Sequence, residues 1–155
     1  MGAQAPVSRV LALDYGQARC GCAVSDPTGT IATPIEPVLR PGSRRGLARM
    51  QQLVLELEVE VVLVGLPLSL KGGETMQTAE TRRFAQALER RLARGGGLGC
   101  RDVEVVLYDE RFTTKLAAAQ QSARSSEDSR AAAHLLESWL AARERQRAVG
   151  WSARA

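Results

Sequence analysis

Two strand-like runs, Arg9 to Asp14 and Arg19 to Ser25, are separated only by the short link Tyr15 to Ala18. A link that short cannot carry a crossover, so the two strands must pair antiparallel. The second run alternates Cys20, Cys22 and Val24 with Gly21 and Ala23, and Asp26-Pro27-Thr28-Gly29 then marks a turn into a third strand around Thr30 to Ile35. Pro34 and Pro37 put that third strand at a sheet edge, because proline cannot donate to a ladder on both sides.

The first run also ends on a charge. Val10-Leu11-Ala12-Leu13 is wholly apolar, and Asp14 stands where a buried strand would carry another aliphatic residue. A carboxylate removed from water without a partner costs several kcal/mol or more, so such a residue is neutralised, hydrogen-bonded or bound to a cation. Glu110 closes a second apolar run, Val103 to Tyr108, and Asp128 opens a strongly apolar C-terminal helix. Three carboxylates delivered by two strand ends and a helix start suit hard, oxygen-preferring cations such as Mg²⁺ or Mn²⁺. The bland alternatives are a buried acid paired with an arginine for Asp14 and a helix N-cap for Asp128. Asp109 competes with Glu110, since adjacent strand residues face opposite ways and the register is open at this stage.

Downstream, Ser43 is a cap for a helix carrying Leu47, Met50, Leu53, Val54 and Leu57 at helical spacing. Val59 to Leu66 reads as a buried strand stopped by Pro67, and Leu68 to Thr75 as a loop containing Lys71-Gly72-Gly73. A second helix from about Met76 to Arg94 aligns Phe84, Leu88 and Leu92, and the glycine-rich stretch to Cys100 is a helix stop and connector. The strand Val103 to Tyr108 precedes a short helix near Thr113 to Ala119 and a loop from Gln120 to Glu127. The last helix, about Ser129 to Arg147, carries Ala131, Leu135, Trp139 and Ala132, Leu136, Leu140 in adjacent stripes. The order βββαβαβα is a meander extended by crossover helices, hence an α/β fold with a mixed sheet covered by helices on both faces.

At 155 residues, 45% hydrophobic and 25% charged, the chain matches one globular domain over residues 1–155. The net charge of +4 and a pI near 9.4 favour a polyanionic partner, with cations clustered at Arg44/Arg45, Arg82/Arg83, Arg90/Arg91/Arg94 and Arg143/Arg145/Arg147. Met1 to Ser8 lacks the order of a signal peptide, and no apolar run approaches the roughly 20 residues of a membrane span, so a cytoplasmic protein without a membrane partner is expected. Cys20, Cys22 and Cys100 read as reduced thiols, the first two as small core residues on one strand face. His134 reads as a boundary residue, Trp139 and Phe84 as core. With aromatics at 4%, backbone and shape contacts should dominate over base stacking.

Four ordered blocks are more specific than any of this. Leu13-Asp14-Tyr15-Gly16 with Arg19, Gly21 and Ser25-Asp26; Val64-Gly65-Leu66-Pro67-Leu68; Asp109-Glu110-Arg111 with Thr113-Thr114; and Asp128-Ser129 with Ala131-Ala132 and Leu136-Glu137 together resemble the signature of the YqgF/RuvX family. The resemblance covers about residues 8 to 140. It implies a ribonuclease H-like fold with a five-stranded sheet and a metal-dependent nuclease that processes the 5′ end of pre-16S rRNA in ribosome biogenesis, or alternatively resolves Holliday junctions. It implies Asp14, Glu110 and Asp128 as catalytic and metal-binding acids for two Mg²⁺ or Mn²⁺ ions, with Glu110 replacing the acid that other ribonuclease H-like enzymes often carry where this chain has Gly65-Leu66-Pro67. Arg19, Lys71, Arg111, Thr113 and Thr114 are the candidate substrate contacts, for structured RNA or branched DNA bound by a monomer or homodimer. Two other classes compete. Asp14-Tyr15-Gly16 with Arg19 also resembles the first phosphate loop of actin-like ATPases and sugar kinases, which use two such domains where this length supplies one. A nucleic-acid-binding factor without turnover would keep the same acids.

Overall fold

The computed structural model describes residues 9–94, 102–110 and 127–153. Their strands are β1 (Val10–Asp14), β2 (Arg19–Ser25), β3 (Ala32–Leu39), β4 (Val61–Leu66) and β5 (Glu104–Asp109); the helices are α1 (Arg44–Glu56), α2 (Met76–Arg94) and α3 (Glu127–Ala153). The sheet order is β3-β2-β1-β4-β5, antiparallel through the first three strands and parallel from β1 to β4 to β5. This is the ribonuclease H-like arrangement that the sequence blocks implied.

Strand alternation sorts the core into two layers. Leu11, Leu13, Cys20, Cys22, Val62 and Val64 face α1 and α2, where Met50, Leu53, Phe84 and Leu88 cover them. Val10, Ala12, Ala23, Val61 and Leu63 face α3 and meet Ala132, Ala133, Leu135 and Leu136. Cys20 and Cys22 are free, buried thiols on one face, as the C-x-C spacing predicts. β3 differs from its expected bounds of Thr30 to Ile35 by running on through Pro34 and Pro37 to Leu39. The edge position is the reason, since only one side of the strand must pair, with Pro34 opposite Ala23.

α1 starts on the expected cap: the Ser43 hydroxyl accepts from the Gly46 N–H at 3.0 Å. α2 starts on a reciprocal pair that spacing alone did not reveal. Thr75 Oγ1 accepts from the Thr78 N–H at 3.2 Å and Thr78 Oγ1 accepts from the Thr75 N–H at 3.0 Å. Thr78, fully buried, also donates to the Pro67 carbonyl and so ties the end of β4 to the helix. α3 begins at Glu127, earlier than its expected start at Ser129, which places Asp128 within its first turn. The expected short helix at Thr113 to Ala119, most of the loop from Gln120, the glycine-rich connector and Cys100 lie outside the described residues.

The first turn of α3 is held on β2 by two features. Ser129 is fully buried, donates to the Ile35 carbonyl at 2.7 Å and accepts from the Cys22 N–H at 3.3 Å. Beneath it the β2–β3 register shifts between Cys20 and Cys22, and Gly21 lies against the α3 backbone. A Cβ at Gly21 would sit 2.0 Å from the Asp128 carbonyl oxygen, an overlap with main chain that no rotamer relieves. Gly21→Ala is therefore expected to lower the unfolding free energy by about 3 kcal/mol in denaturant titration. Gly73→Ala, whose Cβ would meet only the Ser69 hydroxyl at 3.2 Å, serves as the mild control.

Candidate active site

Asp14 belongs by alternation to the α3 face, in register with Val10 and Ala12. The same alternation puts Gly65 of β4 on that face, following Val61 and Leu63, and puts Glu110 there too, following Val106 and Tyr108. Asp109 falls on the opposite face with Val103 and Val105, which separates the two acids that the sequence left in competition. Asp128 arrives from α3, directly over the Asp14–Gly21 pairing of β1 and β2.

Gly65 makes this convergence possible. A Cβ there would lie 2.6 Å from Glu110 Oε1 and 3.0 Å from Leu135 Cδ2, so the Glu110 side chain lies in space that only glycine leaves open. The missing side chain at Gly65 makes room for the acid at Glu110. Neither Gly65 nor Ser129 was assigned a role from sequence; a glycine inside an otherwise aliphatic buried strand was the available signal.

The electrostatics of the cluster follow from burial. Desolvation is the largest cause raising the Asp14 pKa to about 7, followed by the charge of Glu110, a hydrogen bond to the Glu110 side chain and the charge of Asp128. In the protonated form Asp14 donates to the Glu110 carboxylate. Asp128 contributes least and is also engaged by Arg19, whose Nε stands 3.8 Å from Asp128 Oδ2 in a partly exposed ion pair. Among the described residues no three acid, histidine or cysteine side chains already form a closed ligand set. Asp14 and Glu110 are in contact, and Asp128 stands beside them.

Of the expected substrate contacts, Arg19 lies beside the acids, and Lys71 is exposed on the loop after β4. That loop is closed by the Gly73 N–H donating to Ser69 Oγ and the Ser69 N–H donating to the Gly73 carbonyl, both at 2.9 Å. Arg111, Thr113 and Thr114 lie outside the described residues. His134 is partly buried, its ring nitrogens shielded and Nδ1 3.5 Å from Glu137 Oε2. Phe84 is core and stacks on Tyr15 at 4.7 Å between ring centroids.

Two outcomes follow for the metal-free protein. Asp14 holds its proton to about pH 7 when folded but to about 3.8 when unfolded, so its contribution to stability is complete below pH 3.8 and is lost as pH rises through 7. Asp14→Asn removes that loss: thermal unfolding should show it more stable than wild type at pH 8, on the order of 2 kcal/mol, with the difference vanishing near pH 4. Gly65→Ala should displace the flexible Glu110 carboxyl, preserve the fold, and bring the Asp14 titration midpoint, followed by NMR, below that of the parent.

Comparison with known proteins bears on the family and the fold. Relatives named "Putative pre-16S rRNA nuclease" include one from Sulfurihydrogenibium sp., 33% identical over 86% of this chain and 90% of the relative. Another, from Streptomyces coelicolor, is 45% identical over 76% of this chain and 65% of the relative. The solved Thermus thermophilus RuvC shares the fold at a TM-score of 0.58 and 18% identity, over 88% of this chain and 96% of that one; its complex with a Holliday junction substrate superposes at 0.60. The family model described as "RuvX: Holliday junction resolvase" matches residues 8–142, through every strand and the sheet-packed part of α3, and the chain belongs to that family.

Proposed function

We propose that this chain is a divalent-metal-dependent nuclease that hydrolyses phosphodiester bonds of structured RNA, trimming the 5′ end of pre-16S rRNA in the cytoplasm. The observation that carries the reading is the contact of Asp14 with Glu110 on one face of the sheet, Asp128 standing alongside, with Asp14 pushed up to about 7 first by burial and then by the charges of Glu110 and Asp128. An all-oxygen donor set of this charge fits Mg²⁺ or Mn²⁺, and a cation there relieves the repulsion that protonation otherwise relieves. Asp14, on the central strand, would hold the metal together with Glu110 and Asp128. When bound, the metals supply an activated water and stabilise the leaving oxygen.

The chain's own residues perform the rest. Gly65 and Ser129 position Glu110 and Asp128. Arg19 and Lys71 hold phosphates flanking the scissile bond, Arg19 exchanging its contact with Asp128 for one with the substrate. Backbone contacts of this kind make affinity salt-dependent and indifferent to base sequence. The relatives' names favour precursor rRNA; the description of the family model favours a second reading, cleavage of branched DNA. Among the described residues no helix is long and apolar enough to cross a membrane.

Incubating the protein with Mg²⁺ or Mn²⁺ and either a 5′-extended 16S rRNA fragment or a four-way DNA junction tests both readings. We expect cleavage of the RNA, at least about 100-fold slower in Asp14→Asn and Glu110→Gln, with Asp109→Asn close to wild type. Asp128→Asn should be nearly inactive yet folded, because Asn keeps the size of the side chain. Cleavage of the junction alone would select the resolvase reading. Cleavage of neither, or full activity of Asp14→Asn, would overturn the proposal.

A further inference from the structure

The row of side chains that ends in Glu110 continues away from the acids along the same face of β5, through Tyr108 and Val106 to Glu104. Between this row and α3 lies a cavity of about 460 Å³, lined by Val106, Tyr108, Trp139, Arg143, Gln146 and Glu104 among others. Three features give it a chemical character. Trp139 and Tyr108, two of the aromatic side chains in a chain where these make up 4%, share its wall, and both are only partly buried. The Arg143 guanidinium stacks over the Trp139 ring, 5.1 Å from its centroid. Arg143 Nη1 is shielded from solvent and, among the described residues, has no hydrogen-bond partner, so the guanidinium keeps an unused donor beside the cavity. Tyr108 is fixed across the groove, its hydroxyl sharing a hydrogen bond with Ser138 at 3.3 Å.

We infer that this β5–α3 groove is a track for a single-stranded segment of nucleic acid leading away from the acids. The inference rests on the nuclease reading of the Asp14 cluster and adds the strand form that the site receives. A base face on Trp139 or Tyr108 and a phosphate on Arg143 satisfy both halves of the lining at once, which neither an apolar ligand nor a bare anion would do. Arg145 and Arg147, exposed on the same helix, extend the positive charge past the cavity. Glu104 is the carboxylate of the lining and stands at the end remote from Glu110, six residues or roughly 20 Å back along the strand. Its walls are one strand and one helix packed onto the same sheet, so the groove presents a single row of side chains, matched to a single strand.

Binding of a labelled single-stranded RNA oligonucleotide and of a blunt RNA duplex, in an Asp14→Asn background that prevents turnover, tests the inference. Trp139→Leu and Arg143→Gln should each weaken the single strand about fivefold or more and leave the duplex unchanged. With Trp151→Phe also introduced, Trp139 is the remaining tryptophan, and the single strand should quench its emission where the duplex does not. Equal loss for both ligands, or no loss and no quenching, would overturn the track and leave the cavity to a protein partner. Cleavage by the Asp14-containing protein is read separately. Its absence would sink the nuclease reading while the binding result stands, and its persistence without Trp139 quenching would sink only the track.

Discussion

The seating of the first turn of α3 on β2 is the contact on which the site depends. Gly21 lets the Asp128 carbonyl approach to a distance that any side chain would forbid, and Ser129 satisfies both the Cys22 N–H and the Ile35 carbonyl beneath it. Without that seat Asp128 would be an ordinary exposed acid at a helix start, drawn to the helix dipole and nothing else. With it, the carboxylate stands over the end of β1. The buried hydroxyl matters because an unmatched Cys22 N–H would cost about 1–3 kcal/mol in an otherwise apolar layer.

The acids themselves oppose folding. A carboxyl held protonated to about pH 7 marks a place where the sheet tolerates charge poorly, and the apolar layers on either face supply the compensating stability. Leu11, Leu13, Val62 and Val64 on one side and Val10, Ala12 and Leu63 on the other are all fully buried, so the strands that carry Asp14 and Gly65 are tightly packed on both faces. A charge-crowded cluster at the end of such strands trades stability against function. Arg19 moderates it only from the surface, through a partly exposed pair with Asp128.

The α3 face thus carries the acids and the groove in one row along β5. Glu110 lies at the end where the acids meet, Tyr108 bridges to Ser138, and beyond it the groove opens toward Arg143. The face toward α1 and α2 is aliphatic and closed, stapled at its edge by the Tyr15–Phe84 stack. Asp109, one residue from Glu110, belongs to that other face. The two adjacent acids therefore stand on opposite faces of the sheet.

Much of this was legible in the chain. The short link after Asp14 dictated an antiparallel hairpin, the helical spacing of Met50, Leu53 and Val54 placed α1, and the isolated charge at Asp14 marked the site, because each follows from local geometry or from the cost of burying a carboxylate. Periodicity could not choose between Asp109 and Glu110. That depended on the register of β5 against β4, which is set by the packing of Val106 and Tyr108 under α3. Nor could it show that Gly65 leaves space for the Glu110 side chain, that Gly21 admits the α3 backbone, or that Trp139 and Arg143 face Tyr108 across a cavity. Those are distances between elements far apart in sequence, and only the packing of α3 on the sheet determines them.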